Sequence, residues 1–232
     1  MRRSISTSII ILILAASCKS QTKISTPGLS SQEKFYCDSL NIDTSVIIQL
    51  RKYTDAYVEP FHYSLSKQIN PDGSEKELDP VHLQGFVFKS PNKASNDIVM
   101  KLRNSFKEKG YSVFLLENNF GIQNQPDVIG ILKTTDKYEI LREIKTNGVN
   151  YDIDPDSLVT IIKVFDKKYS LDLIGASGDW CEFIINNEPK NWVEFAKEAY
   201  KVCPDIVDQG TGTIEALAEE MKKTKHLYFW WD

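Results

Sequence analysis

The sequence predicts an α+β domain: a mixed, partly antiparallel sheet with helices packed mainly on one face. Three observations lead there. Segments with apolar residues at helical spacing interleave with short runs rich in β-branched and aromatic residues. Two antiparallel-looking strand pairs, within Tyr111 to Leu132 and Leu171 to Ile185, interrupt any strict strand–helix–strand rhythm. Of the 232 residues, 41% are hydrophobic and 11% aromatic, which suits one domain of about 200 residues able to bury roughly 70% of its unfolded surface without a metal or disulfide.

The elements follow in chain order. Asp43-Thr44 caps a helix expected over Asn41 to Ala56, with Val46, Ile47, Leu50 and Tyr53 inward. Tyr57 to Leu65 is a strand, and Asn70-Pro71-Asp72-Gly73 a turn. Val81 to Phe88 is a strand. Asn92 to Lys109 is an amphipathic helix through Ile98, Leu102 and Phe106, stopped by Gly110. Tyr111 to Leu116 and Val128 to Leu132 are strands, and Asp136 to Lys145 a helix. Asp154 and Pro155 open a helix running to Tyr169, because an N-cap carboxylate and a first-turn proline both favour helix initiation. Leu171 to Ile174 and Trp180 to Ile185 are strands. Pro189 to Val202 and Thr213 to Lys223 are helices, and Leu227 to Trp231 closes the chain as an aromatic strand.

Formal net charge is −4, and removing residues 1–17 takes Arg2 and Arg3 with it, leaving −6. An acidic chain with no dense Lys/Arg patch is a poor nucleic-acid partner, since phosphates need a basic face. No phosphate-binding loop, Gly-x-Ser-x-Gly elbow or His-Glu-x-x-His motif is present, and no cofactor is implied. His62, His82 and His226 are scattered, which disfavours an imidazole-based hydrolase or a histidine metal site.

The N-terminus carries an address. Arg2-Arg3 precedes the apolar run Ile9 to Ala16, too short for a transmembrane helix but suited to an export signal. The run ends in Leu14-Ala15-Ala16-Ser17-Cys18, which resembles the lipobox of bacterial lipoproteins, with Ala15 where Leu is usual and Leu14 one step further out. The resemblance implies cleavage after Ser17 (1–17 a signal peptide) and acylation of Cys18, placing the protein in the bacterial cell envelope, lipid-anchored and facing the periplasm or the cell surface. Simple cleavage to a soluble periplasmic protein is the alternative. Residues 19–34 are polar and broken by Pro27-Gly28, so 18–34 reads as anchor plus tether, with a root-mean-square span of about 20–25 Å and the single globular domain at 35–232. Cys37, Cys181 and Cys203 remain. An odd count allows at most one bridge, and three buried apolar thiols are the alternative.

Three segments are candidate surfaces. Asp205 to Thr213 joins two helices: Gly210 and Gly212 permit unusual backbone, and Asp205, Asp208 and Gln209 offer hard oxygen donors for Ca²⁺ or Mg²⁺, with Thr211 and Thr213 beside them. Free amides at the following helix start favour an anion, but the acidic side chains oppose one. The same residues could merely cap helix ends. Trp230-Trp231-Asp232 ends the sequence, and in a strand its two indoles face opposite sides, one to the core and one available as an interaction surface; both rings packed under neighbouring helices is the alternative. Asn147 to Asp152 reads as a turn anchored by Tyr151.

The segments Thr146-Asn147-Gly148-Val149-Asn150-Tyr151-Asp152, Gly175-Ala176-Ser177-Gly178-Asp179-Trp180, Cys203 to Glu220 and Leu227-Tyr228-Phe229-Trp230-Trp231-Asp232 together resemble the bacterial family known as domain of unknown function 4253. The likeness is strongest over 135–232 and looser from 85, and it brings no catalytic residues. The functional expectation is a membrane-tethered, non-enzymatic binding module with an envelope-protein partner. The alternative is a metal-assisted hydrolase using Asp205, Asp208 and their neighbours.

If Cys18 is acylated, Cys18→Ala releases the protein from the membrane fraction or leaves an unprocessed precursor. A mature, detergent-dependent Cys18→Ala protein rules the anchor out.

Overall fold

Strands that are apolar on both faces need cover on both faces, and that requirement sets the architecture. The computed structural model describes residues 28–63, 68–69, 74–76 and 81–232. Its strands are β1 (Val58–Tyr63), β2 (Gln68–Ile69), β3 (Glu75–Lys76), β4 (Val81–Ser90), β5 (Ser112–Glu117), β6 (Asp127–Leu132), β7 (Leu171–Ala176), β8 (Trp180–Ile185) and β9 (His226–Trp230). β2 and β3 pair with each other. The other seven form one sheet in the order β1-β4-β6-β5-β7-β8-β9. Every neighbouring pair is antiparallel except β5 and β7, which run parallel. The fold is therefore α+β on a mixed sheet, and the Tyr111–Leu132 and Leu171–Ile185 segments supply the antiparallel pairs β5/β6 and β7/β8.

Among the described residues seven α-helices flank the sheet: α1 (Ser31–Leu40), α2 (Thr44–Leu50), α3 (Asn92–Lys107), α4 (Lys137–Ile144), α5 (Pro155–Tyr169), α6 (Trp192–Val202) and α7 (Ile214–Thr224). Side chains of α4 to α7 pack with Phe114, Leu116, Phe183, Phe229 and Trp231 on one face. Side chains of α1 to α3 pack with Phe86, Phe88, Val113, Leu115, Ile129 and Ile131 on the other. Four helices thus share one face as the sequence suggests, but the opposite face is covered too. The reason is visible in β5 and β6, where successive residues from Val113 to Leu116 and from Ile129 to Leu132 are buried, so both pleats are apolar.

Helix starts follow local chemistry. Asp43, Asp136, Asp154, Asn191 and Thr213 each accept a hydrogen bond from a first-turn amide, satisfying donors that the helix cannot. α5 begins at Pro155 and ends at Tyr169 as its sequence pattern predicts. α2 stops at Leu50, well short of Ala56, where Arg51 to Tyr53 form a turn.

The lipobox, Cys18 and most of the segment read as tether lie outside the described residues, as does the Asn70–Gly73 turn. No described helix is long and apolar enough to cross a membrane. The tether's expected end at residue 34 is corrected. Ser30 caps α1, its hydroxyl accepting from the Glu33 amide while the Glu33 carboxylate accepts from the Ser30 amide. Leu29 packs against the α1–α3 core. Glu33 also pairs with Arg51, and the two side chains are only 6% and 9% exposed. A polar composition hid this because the partner that makes Glu33 buriable lies eighteen residues away.

Cys37, Cys181 and Cys203 are all buried free thiols. Burial pushes Cys37 and Cys203 up to about 11 and Cys181 well above its ordinary value, so all three are protonated and unreactive at neutral pH.

Removing one partner of a buried ion pair strands the other charge, so Glu33→Ala should cost about 3 kcal/mol. That corresponds to a fall in melting temperature of roughly 6–12 °C for a chain this size. Deletion of residues 19–34 should cost at least as much. A melting point unchanged in both variants would show that α1 is dispensable.

Candidate functional site

The four segments that carry the family resemblance, far apart in sequence, meet at the C-terminus. Asp205 is 3% exposed. Its Oδ1 accepts from the Tyr151 hydroxyl at 2.6 Å and from Gln209 Nε2 at 3.1 Å, and its Oδ2 accepts from the Asp232 amide at 3.0 Å. Burial raises the Asp205 carboxyl, but these hydrogen bonds more than offset it and hold the group below the ordinary carboxylate range. The bond from Tyr151 in turn pushes that hydroxyl up to about 12. The Asn150 side chain donates to the Asp232 carbonyl at 2.5 Å. The Trp231 amide donates to the Asp179 carbonyl at 3.0 Å, and the Asn147 amide to Gly178 at 2.9 Å.

Two glycines leave space for this arrangement. A Cβ on Gly148 would stand 2.7 Å from Nε1 of the Trp231 indole, and one on Gly175 would stand 2.3 Å from the Trp180 ring. Any side chain at either position would displace a tryptophan. Trp231 is buried, and its indole donates to the Val202 carbonyl at 3.2 Å. The Cys203 thiol donates to the Trp230 carbonyl at 2.8 Å and accepts from the Trp230 amide at 3.3 Å, closing part of the open edge of β9, the last strand of the sheet.

Alternation along β8 and β9 turns the neighbouring side chains to the other face. Trp180 pairs with Trp230 and Glu182 with Tyr228. The Trp180 and Tyr228 rings lie 5.9 Å apart at 30°. This part of the sheet lies beyond α3 and opens into two adjoining cavities of about 420 and 630 Å³, which share Asn118, Phe120, Tyr228 and Trp230 as walls. Such volumes suit a small ligand or a single side chain. Glu182 and His226 form a pair at 2.7 Å in the smaller cavity, and Asp179 lines the larger. Burial, then the charges of Glu182 and Asp179, drive the Tyr228 hydroxyl well above its ordinary value, so it stays a neutral hydrogen-bond donor. Desolvation, then the Asp232 charge, raises Asp179.

The rim is held in a costly conformation. Phe120, 71% exposed, and Gln123 and Asn124 all have positive φ, which non-glycine residues adopt at a cost of order 1 kcal/mol each. Buried Asp127 restrains this loop by accepting from the Asn119 amide at 2.8 Å and from Asn92 Nδ2 at 2.6 Å, with Ser95 on its other oxygen.

The Asp205–Thr213 residues do not converge on one point. Asp205 faces the C-terminus, while Asp208 is exposed and accepts from the Tyr200 hydroxyl at 3.2 Å. Ile206 to Thr211 form a π-helical turn, an uncommon conformation concentrated near functional sites. Of the two glycines only Gly212 uses positive φ, at 78°. Gly210 and Thr211 line the smaller cavity, and Thr213 caps α7 by accepting from the Ala216 amide. Among the described residues no three His, Cys, Asp or Glu side chains are placed to share a metal ion. Trp230 faces the groove and Trp231 the core, with Asp232 exposed at the end. His226, Glu182, Tyr228 and Phe120 were not singled out by sequence as one site. The period-two pattern Trp180-x-Glu182 and His226-x-Tyr228-x-Trp230 carried the signal, but it needed the β8/β9 register to be read.

Comparison with known proteins matches residues 128–232, from β6 to the C-terminus, to the family model of a domain of unknown function (DUF4253). No curated protein and no solved structure matches the chain. The matched span contains all the segments that meet around Asp205.

Asp205→Asn should cost about 1–3 kcal/mol, because one amide oxygen replaces a carboxylate that accepts from three donors. The folded carboxyl titrates below its unfolded value of about 3.9, so its contribution is complete above that pH and is lost as pH falls through the depressed folded value. The stability gap between wild type and Asp205→Asn, measured by urea unfolding, should therefore shrink between about pH 5 and pH 2. A gap independent of pH would mean the charge is not what holds the terminus.

Proposed function

We propose that the protein is a non-enzymatic binding module of the bacterial envelope, anchored by lipid on Cys18, whose ligand occupies the groove over β8 and β9. One observation carries the binding part. Tyr228 and Trp230 remain half-buried and side by side in the walls of two adjoining open cavities. Aromatic rings left in a concave, partly wet site are a common basis of ligand recognition, because they offer large apolar area at low entropic cost. The metal-assisted hydrolase reading finds less support, since Asp205 and Asp208 are turned to different partners. The lipobox-like start supports the address.

The test is retention of an envelope component by the intact lipoprotein. Wild type and Val149→Asp, altered at an exposed site outside the groove, should retain it. Phe120→Asp and Trp230→Leu should lose it. Equal retention by all four proteins would place the binding surface elsewhere.

A further inference from the structure

We propose that the groove is selective for organic cations, receiving a primary ammonium or guanidinium group against the Tyr228 and Trp230 rings, flanked by Glu182 and Asp179. This rests on the reading of the groove as a ligand site and adds the class of ligand.

The argument starts from charge. The chain carries 28 Lys and Arg against 32 Asp and Glu, so an average patch of its surface mixes both signs. The two cavities do not: Glu117, Asp179, Glu182 and Glu220 line them, and among the described residues neither wall contains Lys or Arg. The cavity on the far side of α3 has the ordinary mixture, with Arg103, Lys107 and Lys137 beside Asp136 and Asp172. An anion entering the β8–β9 groove would meet carboxylates that no described Lys or Arg of its walls offsets. A cation would complete it.

The second element is the placement of the carboxylates relative to the rings. Glu182 lines the smaller cavity and Asp179 the larger, while Tyr228 and Trp230 belong to both. The aromatic wall therefore stands between two acidic flanks. His226 engages only the Oε1 atom of Glu182. A ring face attracts a cation through its quadrupole, and the attraction strengthens when a neighbouring carboxylate offsets the cation's loss of water. Neutral ligands such as sugars also stack on aromatic rings, but they draw no benefit from four carboxylates.

The full-length protein in detergent is titrated with Nα-acetyl-lysine amide, Nα-acetyl-arginine amide, spermidine and a short lysine-containing peptide, following heat and indole fluorescence. The uncharged analogues Nα-acetyl-norleucine amide and Nα-acetyl-citrulline amide, and a neutral oligosaccharide, serve as controls. The proposal expects saturable binding of the cations, about tenfold or more tighter than their uncharged analogues. Binding should weaken as salt rises from about 0.05 to about 0.5 M, because screening shortens the reach of the carboxylates. Glu182→Gln and Asp179→Asn should each weaken binding several-fold, and Trp230→Leu about tenfold, with melting temperatures confirming an intact fold. Tighter binding of the peptide than of free amines would identify a basic side chain of a polypeptide as the source, and equal binding would identify a small amine. Uncharged analogues or the oligosaccharide binding as well as the cations would overturn the proposal, as would absence of binding or binding indifferent to all three substitutions. If retention of an envelope component still depends on Phe120 and Trp230 in that case, the groove remains a ligand site and only its cation selectivity is lost.

Discussion

The buried carboxylate of Asp205 is the interaction on which the C-terminal half depends. An edge strand has neighbours on one side only, and β9 lies at the edge of the sheet. Asp205 accepts at once from Tyr151 in the segment before α5, from Gln209 in its own π-helical turn and from the Asp232 amide. One side chain thereby ties together three stretches of chain. A carboxylate suits this position better than an amide because it offers two acceptor oxygens and the full strength of charge-assisted bonds. Several residues in the span matched to the family model serve this part of the structure: Gly148 and Gly175 make room for tryptophans, Asn147 and Asn150 tie loops together, and Cys203 satisfies the backbone at the β9 edge.

The closure also shapes the surface. With Asp232 and Trp231 held down, strand alternation turns Trp230, Tyr228 and His226 to the other face together, in register with Trp180 and Glu182. Helix α3 covers β5 and β6, leaving this end of the sheet open. The loop bearing Phe120 rises beside it on the support of Asp127. Scaffold and groove are two faces of one pair of strands, so a substitution in β9 can act on both, and exposed rim residues such as Phe120 and Asp179 separate binding from stability more cleanly than the tryptophans do.

The N-terminal segment shows how a polar sequence joins a core. Ser30 and Glu33 form a capping box, and Arg51 neutralises Glu33 from the turn after α2. Together with Leu29, Cys37 and Ile42 they help to cover the sheet face that α4 to α7 leave bare. Composition alone assigned Leu29, Ser30 and Glu33 to a tether, since a glutamate is counted as solvated until its partner is known.

The sequence by itself determined most of the local structure. Asp136, Asp154 and Thr213 mark helix starts because capping is chemistry within three residues; α6, expected from Pro189, starts only after its cap Asn191. α3 and α5 follow from apolar spacing, and β5 to β8 from short β-rich runs. It also marked the residues around Asp205, Trp230 and Trp231 as unusual. It could not say what they do. Whether Asp205 holds a metal, a helix end or the C-terminus depends on Tyr151 and Asp232, which lie 54 and 27 residues away. Whether Glu182 meets His226 depends on the register of β8 against β9, and a shift of one residue would send both to the other face. Capping and periodicity act over one or two turns of chain and are written locally. Burial, pairing and the groove arise from contacts between distant segments, so only the folded arrangement decides them.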